Sequence, residues 1–109
     1  MPKQKVPIKH YQDLSKRFPE VISALENLGL AIRESGPIRG KTAELIQLAG
    51  AAAAQSEGSV HSHTRRAIQA GATREEIYHT LLLLISTVGF PKVSAAVRWA
   101  QDMVSPRKK

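Results

Sequence analysis

The 109-residue chain has no cysteine. That excludes disulfides, thiolate metal ligands and thiol redox chemistry. Aromatic residues are scarce, namely Tyr11, Phe18, Tyr78, Phe90 and Trp99. A core with so few must be built from Ala, Leu, Ile and Val. No apolar run approaches the roughly 18 residues of a membrane-spanning helix, and the N-terminus carries no signal-peptide pattern. These absences lead us to expect a cytoplasmic protein with no membrane partner. No stretch reads as a strand, so the class is all-α.

Charge is present in excess, at a formal +7. Its location matters more than its size. Residues 1–17 carry Lys3, Lys5, Lys9, Lys16 and Arg17 against Asp13, and Arg107, Lys108 and Lys109 close the chain. Between them, residues 18–106 hold eight basic and eight acidic side chains and are neutral overall. A nucleic-acid-binding domain shows its basic face on the folded part, so no specific nucleic-acid partner is expected. The ends alone would give only weak, salt-sensitive contact with a polyanion.

Residues 1–18 show no periodicity and read as a basic, extended or partly mobile lead-in. From 19 to 35, Val21, Leu25, Leu28 and Ile32 follow helical spacing, with Pro19 suited to the first turn. The Gly36-Pro37 pair and Gly40 mark a turn. A second helix over 41–55 presents Leu45, Leu48, Ala49 and Ala52, and its alanine-rich end permits close packing. A third helix runs over 57–70 and stops at Gly71. Thr73 and Glu76 form a capping box for a fourth, which carries Ile77, Leu81, Leu84 and Val88. Its Leu81–Ile85 run is apolar all round, which implies burial on more than one side. A fifth helix over 91–104 carries Val93, Ala96, Val97, Ala100 and Val104. The expected fold is a compact bundle of five to six helices. Residues 19–104 form its single domain and 105–109 a basic tail. A core this small is commonly completed by oligomerisation.

Half of the chain's four histidines fall in the octet Ser56–His63, "SEGSVHSH". On a helical wheel Val60, His63, Ala67 and Ala70 share the apolar stripe. His61 lies about 200° away, so the two rings cannot hold one metal on a regular helix. No further ligands accompany the pair, and no metal is assigned. His61 is expected to face outward or toward a neighbouring subunit. If the second and third helices form an antiparallel hairpin, Glu44 and His63 lie at comparable distances from its break and can approach. A partly buried Glu beside a His is an acid/base or proton-relay pair, or a structural ion pair. The plainer alternative is a core histidine with a hydrogen-bond partner.

The order of these residues resembles the carboxymuconolactone decarboxylase family and its relative, the alkylhydroperoxidase D proteins. The peroxidase pattern is Glu, eleven residues, Cys, two residues, Cys, three residues, His, then a small residue and glycine. This chain has Glu44, Ser56, Ser59 and His63 at that spacing, followed by Ala67 and Gly71. The phrase "HTRRAIQAGATREEIYHTLLLLISTVGFP" is similar too, and the resemblance spans residues 20–104. It implies an alkylhydroperoxidase D-like helical fold with a hairpin carrying the site, no cofactor, and a homo-oligomer, trimer or hexamer. Serine stands at both cysteine positions and has no comparable redox couple, so thiol peroxidase activity is not expected. The decarboxylase branch does not use those cysteines. Its position four before the histidine, often acidic, is Ser59 here.

The sequence therefore points to a lyase-like protein acting without a cofactor on a small carboxylated substrate, by decarboxylation or lactone handling. His63 would be the acid/base and Glu44 its proton partner. Ser56, Ser59, His61 and Lys41 are the substrate-binding candidates, with Arg65 and Arg66 as further cations for an anionic molecule. The competing expectation is a non-catalytic oligomeric binding protein of the same fold.

Overall fold

The computed structural model describes residues 5–104, with side chains from residue 9 onward. Among these residues there is no strand. The helices are α1 (Lys5–Arg17), α2 (Pro19–Glu34), α3 (Gly40–Ala53), α4 (Glu57–Gln69), α5 (Arg74–Leu82), α6 (Ile85–Val88) and α7 (Phe90–Val104). The chain divides into two compact units at Arg39–Gly40. The basic tail expected at 105–109 lies outside the described residues.

In the first unit α1 packs on α2. Residues 5–17 are helical rather than extended. Pro7 stands in the first turn of α1, where its missing N–H has no intrahelical acceptor to lose, and Lys16 and Arg17 in the last turn complement the helix dipole. The hydroxyl of Tyr11 donates to the carboxylate of Glu26 and ties the two helices. Pro19 opens α2 as expected. The apolar stripe is a different matter. Val21, Leu25, Leu28 and Ile32 are all more than half exposed, and the buried residue of α2 is Ile22.

The second unit is built on a hairpin of α3 and α4, with α7 packed on both and α5 against α3 and α7. Its core holds Leu48, Ala51, Ala52, Val60, Ala67, Ile77, Leu81, Val93, Ala96 and Ala100. Alanine supplies much of this list, so the helices approach closely. Tyr78 and Trp99 pack against its edge.

The connections are made by caps. At the end of α3, Ser56 N–H donates to Ala51 O at 3.1 Å and Gln55 N–H to Ala52 O at 3.0 Å. That is a Schellman motif. Its left-handed residue is Gln55, at φ 57°. A side chain in this region is strained, and Gln55 Nε2 compensates by donating to Ala52 O and to Lys92 O at the start of α7, both at 3.0 Å. The end of α4 repeats the motif with Gly71 at φ 102°. There Ala72 N–H donates to Ala67 O and Gly71 N–H to Ile68 O. Thr73 and Glu76 form the expected capping box on α5.

The fourth helix of the sequence reading is divided. α5 ends at Leu82 and the short α6 begins at Ile85. Leu82, Leu83 and Ile85 are exposed, so the apolar run is not buried on all sides within this chain. One face of α5, carrying Ile77 and Leu81, meets the core.

The capping box has a second partner. Lys41 Nζ lies 3.0 and 3.2 Å from the two carboxylate oxygens of Glu76. The Thr73 backbone N–H, followed by Lys41, holds the Glu76 carboxyl below its ordinary value of 4.5. Its stabilising contribution is therefore complete above that value and is lost as pH falls through the lowered one. Thr73→Ala should cost about 1 kcal/mol and lower Tm by several degrees in thermal melts. The Tm gap between wild type and Glu76→Gln should be open at neutral pH and close as the pH is taken below the ordinary carboxylate range.

Candidate functional site

Four positions of the sequence pattern lie on the α3–α4 hairpin and its turn. Glu44 projects from the first turns of α3, and its neighbour Ala43 is buried with it. Ser56 is the N-cap of α4; its hydroxyl accepts from Ser59 N–H at 3.4 Å. This local bond is the reason α4 starts at Glu57, because serine satisfies a backbone donor that the helix itself cannot. Ser59 is half-buried in the first turn of α4 and His63 follows one turn later.

The hairpin brings Glu44 and His63 together. His63 Nδ1 lies 3.4 Å from Glu44 Oε1. The two side chains are 20% and 12% exposed, so the contact is largely desolvated while the ring retains access to solvent. An ionised carboxylate accepts and does not donate, so the proton of a neutral ring is on Nδ1 and the lone pair on Nε2. This is the arrangement of a carboxylate-oriented general base.

His61 departs from expectation. It is buried, only 4% exposed, and does not face outward. Its Nε2 lies 3.0 Å from Asp102 Oδ2 of α7, within hydrogen-bond distance. The physical reason is that α4 packs on α3 and on α7, so it has two buried faces and a single apolar stripe underestimates them. The two histidines serve opposite faces of one helix, His63 toward α3 and His61 toward α7. A substrate-binding role for His61 beside His63 does not fit this placement.

Lys41 also has a structural employment. Its ammonium is paired with Glu76 as described, in a contact that is 40% exposed on both sides. Neither Asp102 nor Glu76 was singled out as a site residue by sequence reading. Glu76 was visible only as a capping residue, and Asp102 carried no local signal. Arg65, a further candidate cation, has Nη1 buried without a hydrogen-bond partner.

The sequence and the fold are matched among known proteins. The family model for "Carboxymuconolactone decarboxylase family" matches residues 19–102. The chain belongs to the carboxymuconolactone decarboxylase family. A solved structure, that of an apo-form carboxymuconolactone decarboxylase family protein from Legionella pneumophila, superposes with a TM-score of 0.77 at 27% identity, covering 93% of each chain. An uncharacterised protein of Methanocaldococcus jannaschii is 28% identical over 92 residues, 84% of this chain and 86% of that one. An uncharacterised protein of Haemophilus influenzae is 34% identical over 59 residues, 54% of this chain; the match spans about half, 52%, of that relative's length. The family thus has this all-helical fold, and this cysteine-free member carries Ser56 and Ser59 where the thiol pattern would have its pair.

Ser56 is tested by its two roles. As a cap, Ser56→Ala should cost about 1 kcal/mol in chemical denaturation and Ser56→Gly only a few tenths. Equal losses for the two variants would contradict the capping role.

Proposed function

We propose that this carboxymuconolactone decarboxylase-like protein performs cofactor-free acid/base chemistry on a small carboxylated substrate, by decarboxylation or lactone handling, within a domain formed by residues 19–104. The observation that carries this reading is the Glu44–His63 contact, a largely buried carboxylate on the Nδ1 side of a partly accessible imidazole.

In the proposed step the bond to the carboxylate carbon breaks and CO₂ leaves. The bonding electrons stay on the substrate skeleton. His63, protonated on both nitrogens, donates its Nε2 proton to the substrate carbon that has lost the carboxylate. Glu44 stabilises the imidazolium and fixes the ring orientation, and the proton is regained from solvent. Ser59 is proposed to hydrogen-bond the substrate or a water at the same face. Ser56 accepts a cap hydrogen bond and keeps its O–H to donate, and Lys41 is paired with Glu76 at the surface, so both serve the substrate in this reading only alongside those structural roles. Thiol peroxidase activity is not part of this reading, because a serine hydroxyl offers no accessible redox couple.

A homo-oligomer, a trimer or hexamer, completes the proposal. It is supported by apolar side chains exposed within each unit: Val21, Leu25, Leu28 and Ile32 in the first, Leu82, Leu83 and Phe90 in the second. Exposed apolar side chains of this kind are what a subunit interface covers.

The test is CO₂ release or ring opening across a panel of small carboxylic acids and carboxylated lactones. His63→Gln should lower kcat of the responding substrate by about 10²- to 10⁴-fold, the usual contribution of a positioned acid/base. Turnover that survives in His63→Gln would remove the basis of the proposal. Light scattering should return three or six times the 11.9 kDa chain mass; a lone chain mass would defeat the oligomer. Peroxide consumption with a thiol donor should stay at the background rate.

A further inference from the structure

We propose that Glu57, His61 and Asp102 form a binding site for a divalent transition metal of the zinc class. The set bridges α4 and α7 and shares no residue with the Glu44–His63 pair. One donor atom from each residue lies within 4.8 Å of the other two. Glu57 and His61 are separated by four positions, one helical turn, the spacing at which paired ligands on a helix meet one ion. Asp102 arrives from the facing helix with Oδ2 at 3.0 Å from His61 Nε2. Two donors each about 2.1 Å from a tetrahedral ion stand about 3.4 Å apart. The observed separation is a few tenths of an ångström shorter, so the ring and the carboxylate need only part slightly to admit an ion.

The chemistry of the set selects the ion. A neutral imidazole with two carboxylates carries two negative charges, which balance a dication. Nitrogen with oxygen donors favours zinc, cobalt or manganese over magnesium or calcium, whose preferred ligands are all oxygen. The local field opposes binding in two respects. Glu57 stands in the first turn of α4, at the positive end of the helix dipole, and Arg65 lies one turn beyond His61. Both carboxylates are therefore needed.

Burial and access also fit. The His61 side chain is 5% exposed and its ring is fixed, whereas Asp102 is 29% exposed and Glu57 lies at the surface. An ion could enter from the Glu57 side, and the exposed Glu57 side chain can turn toward it. A ligating histidine ordinarily donates its other N–H to an acceptor nearby. His61 Nδ1 is buried without a hydrogen-bond partner, and so is Thr64 Oγ1, one turn along the same helix. With the metal on Nε2 the ring proton is on Nδ1, which has no acceptor within hydrogen-bond range among the described residues.

The experiment is titration of zinc chloride and cobalt chloride into the full chain, followed by calorimetry and, for cobalt, by visible absorption. We expect one ion per chain with Kd in the micromolar range or below, a rise in Tm with zinc, and no response to magnesium. Glu57→Gln and Asp102→Asn should each weaken zinc at least tenfold, and His61→Ala should abolish the site. Glu57 is exposed, so Glu57→Gln preserves the fold and keeps the test decisive even if His61→Ala does not fold. His63→Ala and His10→Ala should bind as wild type does. Absence of binding at 0.1 mM-scale Kd or tighter, or binding that is unchanged in Glu57→Gln and Asp102→Asn, would overturn the site and reduce the His61–Asp102 contact to a hydrogen bond between helices. Neither result bears on the Glu44–His63 proposal, which is read out by turnover.

Discussion

Close packing of α3 on α4 is the constraint from which the rest of the second unit follows. The seam is made of small residues, with Ala51 and Ala52 on one side and Ala67 on the other, around Leu48 and Val60. Larger side chains there would push the helix axes apart. A 3.4 Å contact between a glutamate and a histidine on facing helices tolerates little such movement. The register along the seam is set by the turn. Gln55 closes one helix in a left-handed conformation, and Ser56 immediately caps the next. With so short a connection, Glu44 and His63 have one way to face each other.

The second constraint is that α4 is gripped from two sides. α3 takes the face with His63, and α7 takes the face with His61. A helix held this way has few neutral positions. Val60, His61, Thr64 and Ala67 are all buried. Polar groups on such a helix must find partners across an interface or go without, which is why both histidines are matched with carboxylates from other helices.

What could be read from the residues in order follows the range of the interactions. Capping signals act over a few positions, so Thr73–Glu76, Pro19 and Gly71 were legible and stand where expected. The Glu44–His63 approach was legible because a hairpin with a short turn converts sequence distance into spatial distance. Interactions that join remote helices were not. Lys41 meets Glu76 across 35 positions and His61 meets Asp102 across 41, and no local rule singles out either partner. The apolar stripe of α2 and the Leu81–Ile85 run were correctly seen as apolar, yet within this chain they lie largely at the surface. Periodicity reports which face of a helix is apolar, and it does not report what covers that face. The helix over 5–17 was missed for a related cause: its apolar positions are too few to show a period, and its helicity is supported by end charges and by the tie from Tyr11 to Glu26.

The cap on α4 has a consequence for how this branch differs from its thiol-bearing relatives. The side chain at position 56 sits over unpaired backbone N–H groups at a helix N-terminus. A sulfhydryl placed there would be acidified, because those donors and the helix dipole stabilise a thiolate. A hydroxyl in the same field stays protonated and simply accepts a hydrogen bond. One electrostatic setting can thus arm a nucleophile or begin a helix, and the atom attached to Cβ decides which.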